Sequence, residues 1–228
     1  MTKTTIQSRN PTSGGRPEPS GTPMVLRGIS WDVYRSLREQ LDAAGQKMYL
    51  TYDRGTLEIM PPSNYHEKHK KLLARCVEIM CAELGIALSS SGSTTFSRED
   101  LERGIEPDEC YYVQRASEMS TRFDDIELPK DPPPDLAFEM DYTHHPTNRQ
   151  AVYAALGVPE VWRFNGEHLR GFRRNERAEY VAIDTSVAFP FLRLADLERF
   201  LKLAATVGEH AAVMAFRDWV RQTHGLKP

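Results

Sequence analysis

Two short acidic strings carry the strongest chemical signal in this sequence. Gly104-Ile105-Glu106-Pro107-Asp108 holds two carboxylates two residues apart. In a strand that spacing sets both on one face. Asp135-Leu136-Ala137-Phe138-Glu139-Met140-Asp141 places acids at alternate positions except Ala137, with Leu136, Phe138 and Met140 as the core face. If the two strands pair, carboxylates converge on one side of a sheet. Converging carboxylates repel and lose solvation unless a cation joins them. Oxygen ligands at that density suit Mg²⁺ or Mn²⁺ rather than zinc. Such an ion polarises a phosphoryl oxygen and acidifies a bound water. The plainer reading of the same spacing is a solvated strand face, and spacing alone leaves both open.

Other titratable groups carry weaker signals. His66-Glu67-Lys68-His69 superficially resembles a zinc motif, but its histidines are three apart rather than four. His69 reads as a solvated helix position. His144-His145 follows the acidic strand and reads as a polar loop or as an approach to the site. Lys68, Lys70 and Lys71 form one basic run, and Arg170, Arg173, Arg174 and Arg177 form another with Phe172 interleaved. A charge run is usually solvated surface. Beside the acid cluster, either run would supply phosphate contacts. Trp162 and Phe164 read as core rather than as a stacking platform.

These residues need elements to hold them. Ser30 is a good N-cap for a helix to about Ala44. Met48, Leu50 and Tyr52 alternate, then Asp53-Arg54-Gly55 turns the chain into Leu57 and Ile59, a hairpin signal. A long helix from Ser63 or Asn64 to Leu84 presents Leu72, Leu73, Cys76, Val77, Met80 and Leu84 as one stripe, and Gly85 stops it. Short strands are expected at 86–88 and 94–96, and one strand at 105–113. A polar loop should cover 114–132 and a half-buried strand 135–141. A helix should run from Thr147 or Asn148 to Leu156, with strands at 158–164, 169–172 and 180–183. Helices at 192–203 and 210–220 complete the chain. The alternation predicts an α/β domain with a mixed central sheet flanked by helices.

Length and charge narrow the class. The chain has 228 residues and a net charge of −3, from 29 Lys plus Arg against 32 Asp plus Glu. No global positive field draws it to a polyanion, so any nucleic-acid site must be a local patch. No stretch is apolar enough to span a membrane. The three cysteines, Cys76, Cys81 and Cys110, have no CxxC spacing and the N-terminus has no apolar core of a secretory signal. Both features point to free thiols and a cytoplasmic protein. Residues 1–23 hold too little apolar surface to order and are expected to be a disordered tail. Residues 24–228 are expected to form one domain.

Several longer strings add a resemblance. They are Gly55-Thr56-Leu57-Glu58-Ile59-Met60-Pro61-Pro62, His66 at a helix start and Gly92-Ser93-Thr94-Thr95-Phe96. Glu106-Pro107-Asp108, Pro134-Asp135-Leu136-Ala137-Phe138-Glu139 and Tyr153-Ala154-Ala155-Leu156-Gly157-Val158-Pro159-Glu160-Val161-Trp162 follow in order. Over about residues 31–201 the sequence resembles the Uma family of restriction-endonuclease-like nucleases. The resemblance implies a PD-(D/E)XK core that binds a divalent metal. Asp108 would be the first metal ligand, Glu139 the second and the Met140 carbonyl the third, with Glu58 as an additional acid. The pattern expects Lys two residues after the second acid, where this chain has Asp141. The relocated basic residue would be Arg149, which cannot act as a base but can clamp a phosphate. His66 would contact substrate or order a nearby carboxylate, and Lys70 would contact substrate.

The expectation is therefore an Mg²⁺- or Mn²⁺-dependent endonuclease acting on DNA, with a homodimer as a way to cut both strands. The alternative is an inactive nucleic-acid-binding or regulatory module on the same fold, motivated by Asp141. Asp108→Ala and Glu139→Ala are expected to abolish cation binding and leave the fold intact.

Overall fold

The computed structural model describes residues 23–141 and 147–225. All but the last residue of the expected tail, and the whole of His144-His145, lie outside the described residues. The chain opens with β1 (Met24–Arg27), α1 (Trp31–Ala43), the hairpin β2 (Tyr49–Asp53) and β3 (Thr56–Met60), and α2 (Asn64–Leu84). Then come β4 (Ser89–Ser90), β5 (Phe96–Arg98), β6 (Arg103–Ile105), β7 (Glu109–Tyr112), α3 (Ala116–Met119) and β8 (Leu136–Met140). The rest is α4 (Arg149–Leu156), β9 (Glu160–Phe164), β10 (Leu169–Arg174), β11 (Tyr180–Ile183), α5 (Leu194–Val207) and α6 (Glu209–His224).

The helix boundaries follow local chemistry. The side chains of Ser30, Ser63 and Asn148 accept the amides of Val33, His66 and Ala151 and so cap α1, α2 and α4. Gly85 and Gly157 end α2 and α4 with φ of 64° and 87°, a left-handed turn that costs glycine little.

Two sheets form. The first has strand order β1-β3-β2-β6-β5 and every pair in it is antiparallel. The second has order β11-β10-β9-β8-β7-β4; β8 and β9 run parallel, joined across α4, and the other pairs are antiparallel. This is the mixed sheet flanked by helices, with a second, all-antiparallel sheet beside it. Phe138, Met140, Trp162 and Phe164 turn one face of the mixed sheet towards the apolar stripes of α2, α5 and α6. Its other face packs Ala137 and Val161 against Val152, Tyr153 and Leu156 of α4, together with Phe96 and Ile105 of the first sheet. The helix α4 is thereby wedged between the two sheets.

On the far side of the first sheet, Tyr34 of α1 packs with Leu50, Tyr52 and Leu57. Tyr34 stacks on Tyr52 with ring centroids 4.8 Å apart. A methyl group at Gly104 would sit 2.2 Å from the Tyr34 hydroxyl, so β6 must present glycine there.

Several expected elements are redrawn. The strand expected at 105–113 is two strands in different sheets, because Pro107 removes a ladder donor. Glu106 and Asp108 therefore lie on the crossing between sheets, not on one strand face. The short strands move to 89–90 and 96–98, and α3 interrupts the loop expected at 114–132. The strand β8 is buried on both faces rather than half-buried, because α4 covers the face that carries Glu139.

Candidate active site

Asp108 leaves the sheet crossing just before β7, and Glu139 lies on β8. The pairing of Glu109 with Phe138 puts Asp108 opposite Glu139 one register step on. The two carboxylates are 1% and 5% exposed. Their neighbours in the acidic strings are elsewhere. Asp135 accepts the amides of Val113 and Arg115, a structural turn. Asp141 pairs with Arg163. Glu106 accepts the Thr95 hydroxyl at 3.0 Å.

The residues around Asp108 and Glu139 come from α2, α4 and the first sheet. Asp108 Oδ2 accepts the Met140 amide at 2.5 Å and lies 3.0 Å from His66 Nε2, an ion-pair contact rather than an aligned hydrogen bond. Among the described residues Asp108 Oδ1 is buried and has no hydrogen-bond partner. Glu139 Oε1 accepts both Arg149, at 2.7 Å, and the Tyr153 hydroxyl. Arg149 also donates to the Glu106 carbonyl at 3.0 Å and to the Thr51 hydroxyl. Glu58, opposite Thr51 in the hairpin, accepts the Thr147 amide at 3.1 Å through Oε2. Lys70, one helical turn beyond His66, is buried; its Nζ lies 3.0 Å from Glu67 Oε2 and 3.2 Å from the Tyr49 hydroxyl.

Burial and charge act against each other here. Burial raises the Glu139 carboxyl above its ordinary range; the Arg149 charge opposes this and the Asp108 charge adds to it. Burial lowers His66, but Asp108, with Glu139 and Glu67, outweighs it and the imidazole is net raised. The arrangement is a buried acid pair held by one guanidinium and one imidazole.

The structure meets the implied cation ligands unevenly. Asp108 offers an open buried carboxylate oxygen, and a hard divalent cation fits that donor chemistry. Glu139 shares one oxygen with Arg149 and Tyr153. Glu58 is committed in part to Thr147, and among the described residues no three His, Cys, Asp or Glu side chains assemble as a metal-holding group. Asp108 and Glu139 thus form a two-carboxylate fit, with Glu58 outside it. The mutational expectation also changes. Glu139 is the partner of a buried arginine, so its removal strands that charge and is not neutral for the fold.

The basic runs divide. Lys70 turns inward, whereas Lys68 and Lys71 are exposed. Arg163 sits opposite both Glu139 and Arg170 in the register, so the three share one row on one face of the mixed sheet. Arg170 is exposed and stands two strands, about 10 Å, from Glu139. Arg174 instead ties to the Ala154 carbonyl at 2.7 Å. His69 is half-buried between Tyr65 and Phe164 rather than solvated. Trp162 and Phe164 are core.

Tyr153 and Thr51 are site residues that the sequence reading did not assign. Tyr153 follows Arg149 by four, so one helix face carries both, and that spacing was the available signal. Thr51 carries no such local signal.

The family model Uma2, described as "putative restriction endonuclease", matches residues 31–208. No curated protein matches the sequence. Among solved structures, a putative nuclease belonging to DUF820 from Anabaena variabilis is similar. Its identity is 16% and its TM-score 0.46, over 67% of this chain and 90% of that one. The matched segment runs from the first residue of α1 to the end of α5 and includes every residue of the acid centre, and the chain belongs to the Uma2 family of putative restriction endonucleases.

Proposed function

We propose that the protein is a metal-dependent endonuclease that hydrolyses phosphodiester bonds of DNA. The observation that carries this reading is the buried Asp108 oxygen without a hydrogen-bond partner among the described residues, opposite a second buried carboxylate. Asp108 and Glu139 would hold Mg²⁺ or Mn²⁺, with the Met140 carbonyl beside them. When bound, the ion would supply a Lewis acid for the phosphoryl oxygen and a more acidic water.

The chain's own residues have separable tasks. Arg149 holds Glu139 in place and offsets negative charge; a guanidinium stays protonated at working pH, so it positions and does not act as a base. Tyr153 and Thr51 fix Glu139 and Arg149 from opposite sides. His66 orients Asp108, and Lys70 places a second cation one turn further along α2. Arg163 and Arg170 extend a basic row along which a phosphodiester backbone would lie. A homodimer would bring two such centres to a duplex.

One observation favours the alternative of an inactive nucleic-acid-binding module: Arg149 and Tyr153 both occupy Glu139 Oε1. A nicking assay separates the two. Supercoiled plasmid is incubated with the full chain in Mg²⁺, Mn²⁺ or chelator, beside Asp108→Asn. The nuclease reading expects metal-dependent nicking that the variant loses. DNA binding without nicking in any metal would support the inactive module.

A further inference from the structure

The acid centre has a second polar recess behind it. A cleft of about 290 Å³ opens between α1, the residues after it and the start of the β6–β7 crossing. Its floor is Glu106, 8% exposed, and its walls include Arg38, Asp42, Lys47 and Thr95. An adjoining cleft shares Arg38, Asp42 and Thr95 and reaches Tyr34. Among the described residues the Tyr34 hydroxyl is fully buried and has no hydrogen-bond partner. The acid centre uses the Glu106 main-chain carbonyl, which accepts from Arg149. It does not use the Glu106 carboxyl.

The chemistry of this recess selects its occupant. Two carboxyl groups, Glu106 and Asp42, share the lining of the inner cleft with two cations, Arg38 and Lys47, so neither sign dominates and a neutral edge with donors for Glu106 fits there. Burial raises the Glu106 carboxyl to about 7; in its ionised form it has about four acceptor positions, of which the Thr95 hydroxyl takes one. Leu41 and Met48 supply apolar wall for a flat ring. Arg38 stands where it can meet a ring acceptor, as arginine meets O6 and N7 of guanine. Lys47 is exposed on the cleft wall, suited to a phosphate that stays outside.

We propose that this cleft binds a guanine base, with its N1–H and 2-amino group donating to Glu106. Guanine alone among the common bases carries two adjacent donors on that edge. The base comes either from a free guanine nucleotide or from an unpaired residue of the strand being cut. Only the second source rests on the nuclease reading. Glu106 is joined to Asp108 through Pro107 alone, so an occupied cleft would bear directly on the segment that presents the catalytic carboxylate.

The test is calorimetric titration of the full chain with guanosine, inosine, adenosine and cytidine 5′-monophosphates. Inosine lacks only the 2-amino group. A hydrogen bond to a charged acceptor corresponds to about tenfold or more in affinity. The expected result is guanosine monophosphate bound at least about tenfold tighter than the other three, a preference that Glu106→Gln removes. Equal affinity for the four nucleotides, or a preference that survives Glu106→Gln, overturns the proposal. The inosine comparison reads the same contact without any mutation, so it stands even if that variant does not fold.

Competition then assigns the source. Displacement by a single-stranded oligonucleotide with one guanine, but not by its inosine counterpart, identifies a strand base; no displacement by either identifies a free nucleotide. The binding needs no cleavage. A protein that selects guanosine monophosphate but never nicks DNA keeps this proposal and loses the nuclease reading. One that nicks DNA and ignores guanine does the reverse.

Discussion

Glu160, on the mixed sheet, and Asp108, on the crossing just before β7, are both buried carboxylates, 0% and 1% exposed, and the protein treats them in opposite ways. Glu160 accepts four donors: the Trp162 indole at 2.6 Å, the Ser186 hydroxyl at 3.2 Å, and the amides of Val187 and Ala188 at 3.0 and 2.7 Å. It pins the segment after β11 to the sheet. Asp108 accepts one amide, faces one imidazole, and keeps one oxygen with nothing to bind among the described residues. Leaving a buried acceptor unmatched costs on the order of 1–3 kcal/mol. A fold that satisfies one buried acid completely and leaves another open separates a structural carboxylate from one held for a ligand.

The comparison breaks first at Glu160. Glu160→Ala strands two amides, a hydroxyl and an indole, and is expected to cost about 4–6 kcal/mol, a large share of a typical domain's stability of about 5–15 kcal/mol. The guanidinium chloride midpoint reads this, and a loss under about 1 kcal/mol would remove the structural role. Glu139→Ala comes next. It leaves Arg149 buried without its ion pair and should cost about 3–5 kcal/mol, whereas Glu139→Gln should cost clearly less.

The pH dependence is the third test. Burial holds the Glu160 carboxyl above its ordinary range despite its four donors. The folded state therefore keeps that proton to higher pH than the unfolded chain. This contribution falls as pH rises from the usual glutamate value through the folded one. Glu160→Gln should flatten that part of the stability profile, measured as denaturation midpoint against pH; an unchanged slope would contradict it. The smallest stability effect belongs to Asp108→Asn. The amide oxygen still accepts the Met140 amide and the repulsion with Glu139 is relieved. The change should stay within about 1 kcal/mol.

The sequence was most legible where structure is decided locally. Ser30 as a cap and Gly85 as a stop mark helix ends because each acts within four residues of itself, and the starts of α2 and α4 are legible to within a residue, as Ser63 or Asn64 and as Thr147 or Asn148. The Arg54-Gly55 turn marks the hairpin for the same reason. Legibility failed at Glu106-Pro107-Asp108. The alternation ran through Pro107, and nothing local says that Ile105 pairs with Thr51 while Glu109 pairs with Phe138 in another sheet. Asp108, Glu139 and Arg149 were found through the resemblance and do come together in the structure. The closure of Glu139 by Tyr153 and the grip of Thr51 on Arg149 were not visible, because they depend on α4 lying between two sheets. Lys70 was named as a substrate contact, but that it turns inward while Lys68 and Lys71 stay exposed depends on which face of α2 is buried.

The most direct test of the account is calorimetric titration of Mn²⁺ into the full chain and into Asp108→Asn, with folding of both checked by circular dichroism. Saturable binding is expected in the parent protein, and its loss in the folded variant. Undiminished Mn²⁺ affinity in Asp108→Asn would contradict the claim that the open oxygen of Asp108 is held for a cation.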